Sequence, residues 1–125
     1  MTQDLNLLRG IMLYAEEQSV ATAFHLHNLK ERFPEADELV IADHVIQLKE
    51  EGLIQGFAEI YAKEKMAKIR IERITSQGHD FIRLFKDESV WSKTKKEFVD
   101  QGKAATIGMI VEYATTLAKD TLGLS

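Results

Sequence analysis

Lys63, Lys65, Lys68, Arg70 and Arg73 crowd five cations into one short stretch of the chain. At that density ammonium and guanidinium groups can neutralise phosphates, and the release of condensed counterions then drives association at low salt. Upstream, Val40, Asp43, His44 and Gln47 recur at helical spacing. On a helix laid in a major groove, Gln47 can pair with adenine and Asp43 can accept from the N4 amino group of cytosine. His25 and His27 alternate, so on a strand they share one face. They would make half of a metal site, but the further ligands such a site needs are not evident, and a solvated edge strand is the expectation. His79 and Asp80 are adjacent, and neighbouring helical side chains do not face each other, so a catalytic dyad is excluded and His79 is expected to bond near the core. No Gly-rich phosphate loop and no nucleophile set beside a base is present, so the chain is not expected to be an enzyme.

The charge balance bears on the phosphate reading. The chain has 125 residues, a formal net charge of −4, 45% hydrophobic residues and no cysteine. That length supports one well-formed core, and the lack of cysteine removes disulfides and thiolate metal sites. An acidic chain binds a polyanion only where its cations cluster, which makes the stretch around Lys63 to Arg73 decisive. The opening Met-Thr-Gln-Asp has no basic region leading into an apolar block, and no apolar run is long enough to span a bilayer, so a soluble cytoplasmic protein without a membrane is expected.

The elements that must hold these residues follow from periodicity. Asp4 can cap a first helix carrying Leu5, Leu8, Ile11, Met12 and Ala15, ending near Gln18-Ser19. Gly10 lies inside it, where a close approach by another element would account for it. Ala21 to Leu29 alternates as a strand, and Lys30 to Asp37, with Pro34, reads as a turn or one short helical segment. The run from Leu39 to Glu51 is a helix with Ile41, Ala42, Val45, Ile46 and Leu48 inward, and with Val40, Asp43, His44, Gln47, Glu50 and Glu51 outward. Gly52 supplies the left-handed stop, and Leu53 to Tyr61, a charged loop 62–65 and Met66 to Ile74 form a hairpin. Lysines on such strands also serve to block edge-to-edge association.

A helix ending in Glu-Glu-Gly-Leu-Ile and running into a strand looks like the second helix of a winged helix-turn-helix, with the hairpin as its wing. Thr75 then caps a helix bearing Phe81, Ile82 and Phe85, in which Gly78 allows close packing on the domain. Asp87 or Ser89 starts another with Val90, Trp91, Thr94 and Phe98 inward and Lys93, Lys95 and Lys96 outward, ending at Gly102. Thr106 caps the last helix, whose stripe is Ile107, Ile110, Val111, Ala114, Leu117 and Ala118. Such a stripe either pairs with a second copy, making a homodimer suited to palindromic half-sites, or covers the chain's own core against Leu5, Leu8 and Met12.

Three pieces carry a family resemblance: His44-x-x-x-Leu48-x-x-x-Gly52-Leu53-Ile54, Thr75-x-x-Gly78-His79-x-Phe81, and Asp87-x-x-x-Trp91. With this order of elements, from Asp4 through Leu124, the chain resembles the bacterial and phage proteins grouped as domain of unknown function 2513. The resemblance implies a winged-helix fold in a prophage or mobile-element setting and brings no assigned activity.

The reading is therefore an α+β, mainly helical fold. A winged helix-turn-helix with a two-stranded wing occupies 1–86, and two appended C-terminal helices, 87–125, pack on it or dimerise. The expected function is a small DNA-binding transcriptional regulator without cofactor or metal. Val40, Asp43, His44 and Gln47 would read double-stranded DNA, and Lys63, Lys65, Lys68 and Arg70 would hold its backbone. The alternative is a protein-interaction module of the same fold that binds no DNA.

Overall fold

The computed structural model describes residues 4–18, 23–100 and 105–122. Its elements run α1 (Leu5–Glu17), β1 (Phe24–His25), α2 (Leu26–Arg32), α3 (Glu38–Glu50), β2 (Ile54–Tyr61), β3 (Met66–Ile74), α4 (Ser76–Lys86), α5 (Glu88–Phe98) and α6 (Ile107–Leu122). The fold is α+β and mainly helical, with a three-stranded antiparallel sheet in the order β1-β3-β2.

Each helix starts where a side chain can satisfy an orphan backbone N–H. The carboxylate of Asp4 accepts from Leu7 at 3.2 Å, Asp37 from Leu39 at 2.8 Å, and Asp87 from Val90 at 2.9 Å. Thr75 Oγ1 accepts from Gly78, and Thr106 Oγ1 from Met109. At the far end of α3, Gly52 adopts φ +75°. Its N–H donates to the Lys49 carbonyl and that of Leu53 to the Leu48 carbonyl, which is the Schellman arrangement. That turn aims the chain into β2.

The expected strand over Ala21 to Leu29 is a correction. Of the described residues in that stretch, only Phe24 and His25 pair with β3, and the chain then turns into the seven-residue helix α2. The His25 N–H donates to Asn28 Oδ1, so the polar residue that suggested alternation in fact closes the first helical turn. The segment around Pro34 is a turn, held by Lys30 Nζ donating to the carbonyls of Pro34 and Ala36. Phe33 lays its ring against Gly10, where an added Cβ would come within 2.8 Å.

The hairpin matches its expected bounds closely. Ala67, Ile69 and Ile71 of β3 point inward and Lys68, Arg70 and Glu72 outward, with a bulge between Gln55 and Gly56 in β2. α1, α3 and the inner face of the sheet share one core with α4, α5 and α6; Leu8, Ile11, Leu48, Ile71, Phe81, Phe85, Val90 and Ile110 are all within it. α6 packs chiefly on α5 and α4, in the core that also holds Leu5, Leu8 and Met12 of α1. Gly102, expected to end α5, falls outside the described residues; the helix ends at Phe98.

Candidate nucleic-acid interface

The α3 residues expected to read bases do not form one outward face. His44 is fully buried. Its Nε2 accepts from the Asp4 N–H at 2.8 Å, and its Nδ1 donates to the Val40 carbonyl at 2.7 Å. Both ring nitrogens are thus spent inside the fold, and His44 has no access to a groove. The expected placement fails because α1 packs against this side of α3 and turns a polar position into a core position. Ile46, expected inward, is only half-buried. Val40 is half-buried as well, and the Gln47 side-chain amide donates to Asp43 at 2.9 Å. The helix is rotated from the expected phase, and its open side presents Leu39, Asp43, Ile46 and Glu50 between exposed Glu38, Lys49 and Glu51.

Outside the hairpin, four cations are tied to carboxylates. Arg9 pairs with Glu88 at 3.2 Å, Arg32 with Glu17 at 3.3 Å, Lys86 with Glu16 at 2.6 Å, and Arg83 with Asp80. Lys63, Lys65, Lys68, Arg70 and Arg73 are all exposed, and among the described residues none is in a salt bridge. Between Ile54 and Ile74 there are five cations against Glu59, Glu64 and Glu72, a net positive segment in a chain of net charge −4. Lys63 and Lys65 sit in the turn, where Lys65 takes the left-handed φ of 52°. Lys68 and Arg70 point away from α3, because α3 packs on the inner face of the sheet and these two alternate with buried Ala67, Ile69 and Ile71. The eight expected contact residues are therefore divided: α3 offers Val40, Asp43 and Gln47 but buries His44, the turn offers Lys63 and Lys65, and the outer sheet face holds Lys68 and Arg70.

That outer face also holds His25 and His27, together with Tyr61 and Phe57, which sequence reasoning missed. The hydroxyl of Tyr61 donates to Glu59 Oε2 at 2.5 Å. This bond, with desolvation and the charges of Glu59 and Glu64, raises the phenol above its ordinary 10.0. Lys68 Nζ stands 5.9 Å from the Tyr61 ring centroid. Phe57 is exposed beside Arg70, and His25 and His27 stack with centroids 6.1 Å apart. The alternation Gln55-x-Phe57-x-Glu59 was the available signal, since two polar neighbours in phase with Phe57 turn it to solvent. His79, expected near the core, is exposed.

The stripe expected to dimerise is largely taken up within the chain. Ile107, Ile110, Ala114 and Ala118 are buried against the chain's own helices, while Val111 and Leu117 are half-buried and Met109 is 53% exposed. Among the described residues no group of three or more His, Cys, Asp or Glu converges to hold a metal, and no helix is long and apolar enough to cross a membrane. Comparison with curated proteins and with solved structures gives no match. A family model does match, over residues 2–104, and the chain belongs to that family, described as hypothetical protein (DUF2513).

Proposed function

We propose that the chain is a winged-helix nucleic-acid-binding protein, a small transcriptional regulator of the prophage or mobile-element type suggested by its family resemblance. The order α1-β1-α2-α3-β2-β3 with β1 against β3 supports the winged-helix reading. The observation that carries nucleic-acid binding is the clustering in one net positive segment of five exposed hairpin cations, none of them in a salt bridge among the described residues. Holding five such groups close together costs electrostatic energy that a polyanion offsets. On duplex DNA, Lys63 and Lys65 at the turn would meet the backbone, with Val40 and the Asp43–Gln47 pair at the base edges.

The test is gel mobility of generic duplex DNA with the full chain at low and at higher salt. Binding that falls steeply with salt, and a Lys63→Ala/Lys65→Ala protein whose salt slope is flatter by about 2 units, is the expected result. A folded protein that leaves duplex unshifted at low salt removes this reading.

A second reading, a protein-interaction module, is favoured by the open side of α3. Leu39 and Ile46 lie there among Glu38, Asp43, Glu50 and Glu51, with Lys49 the one cation of that helix. Carboxylates so placed repel phosphate and suit a basic or apolar protein surface.

A further inference from the structure

An antiparallel sheet with one face on the core ordinarily shows water a polar face. Here the outer face carries Phe57, 44% exposed, on the middle of β2. Arg70 of β3 is the register partner of Phe57 on one side and of His25 on the other. The three side chains therefore stand in one row, with neighbouring Cβ atoms about 5 Å apart. Lys68 lies next along β3 on the same face, and the ring of His27 is parallel to that of His25 within 6°. With Leu26 and Ile69 these residues line a shallow open groove of about 350 Å³, and none of the lining residues is a carboxylate.

An exposed aromatic ring bordered by cations and imidazoles is matched by a ligand that is flat and apolar on one part and anionic on the next. We propose that this face binds an unpaired stretch of single-stranded nucleic acid, with one base stacked on Phe57 and the adjoining phosphates held by Arg70 and Lys68. The imidazoles of His25 and His27 add N–H donors at the far side of the row. A ring on a flat sheet can stack only on a base that has left its duplex, which is why single strands use such platforms and helical DNA does not. A free small molecule is a poorer fit, because pockets for those enclose most of the ligand and this groove is open. A strand can continue past the groove to the unpaired Lys63 and Lys65 at the turn. The proposal concerns the opposite side of the sheet from α3 and stands independently of duplex binding.

The experiment is fluorescence anisotropy of a labelled oligothymidine, which cannot pair with itself, and of a duplex of equal length, against the full chain at low salt. Wild type is expected to bind the single strand, and Phe57→Ala to weaken that binding roughly 5- to 150-fold while leaving any duplex binding unchanged. Phe57→Trp is expected to keep the affinity, and its new exposed indole to be quenched on binding. Circular dichroism and the unfolding midpoint establish that each variant is folded. Absence of single-strand binding by wild type overturns the proposal, whatever the duplex does. Equal single-strand affinity of wild type and Phe57→Ala also overturns it, since that is polyelectrolyte attraction without a platform. Single-strand binding that depends on Phe57, with no duplex binding at all, supports this site and defeats the duplex reading.

Discussion

Asp4 and His44 join the start of the chain to its central helix by a single buried bond, Asp4 N–H to His44 Nε2 at 2.8 Å. Because the backbone N–H can only donate and the Val40 carbonyl can only accept, the imidazole is held as its Nδ1–H tautomer. His44→Leu keeps an apolar body but leaves the Asp4 N–H and the Val40 carbonyl without this partner, and is expected to cost about 1–3 kcal/mol in urea unfolding. Gln47→Ala removes a half-buried side chain and its bond to Asp43, and is expected to cost less than His44→Leu, about 0.5–1 kcal/mol. A loss at Gln47 equal to that at His44 would mean the helix faces the other way. Tyr61 makes a second residue-scale case. Its raised pKa means that the folded chain favours the neutral phenol, so this contribution is complete below 10.0 and is lost as pH rises through the folded value. In a tyrosinate absorbance titration Tyr61 should ionise above 10.0, and Glu59→Gln should lower its midpoint. An unchanged titration in Glu59→Gln would put the cause elsewhere.

At the level of elements, two glycines fix how α3, β2 and α4 meet. Gly52 takes the positive φ that ends α3, and Thr75 Oγ1 donates to its carbonyl at 2.5 Å. Thr75 thus joins the turn after α3 to the first turn of α4 with one hydroxyl, since the same oxygen accepts from Gly78. A Cβ on Gly78 would fall 2.1 Å from the Leu53 carbonyl oxygen and 2.6 Å from Ile74 Cγ2. Backbone cannot yield as a flexible side chain can, so Gly78→Ala should lift α4 and destabilise by about 1–3 kcal/mol despite the better helix propensity of alanine. Leu48→Ala, which removes a fully buried side chain from α3, should cost about 2–5 kcal/mol. Thermal or urea unfolding decides both; a Gly78→Ala protein as stable as wild type would show that α4 can shift without loss.

For the whole molecule, the C-terminal helices are part of the main core. Phe85 meets Trp91 edge-on at 5.7 Å, Arg9 of α1 lies 4.7 Å over the Trp91 ring, and Phe98 meets Tyr113 at 5.3 Å. The chain is therefore expected to unfold in one cooperative transition, and Ile110→Ala in α6 to move that transition as a core substitution does, by about 2–5 kcal/mol. A separate early transition for α6 would oppose this. A homodimer through α6 has only its outer side to use, where Met109 is exposed and Val111 and Leu117 are half-buried. If light scattering gives a dimer, Met109→Glu should dissociate it with little change in stability; a monomeric wild type removes the dimer.

Much of this molecule was legible in one dimension. The caps at Asp4, Thr75 and Thr106, the stop at Gly52, and the alternation of Lys68 to Glu72 are local, and local hydrogen bonding and periodicity determine them. The family, too, was legible, in the spacing of His44, Leu48 and Gly52 and of Thr75, Gly78 and Phe81. What required the fold was every property set by which surfaces meet. His44 is polar and reads as outward, yet α1 covers it and supplies a donor for its ring. Ala114 and Ala118 read equally as a dimer seam or as cover for the chain's own core, and only the fold shows them buried within the chain. Phe57, Arg70 and His25 come from three separate strands, and only the pairing register sets them side by side. A helix or strand fixes the direction of each side chain relative to its own axis, but the rotation of that axis against its neighbours comes from burial summed over the whole core. That sum was decided in three dimensions.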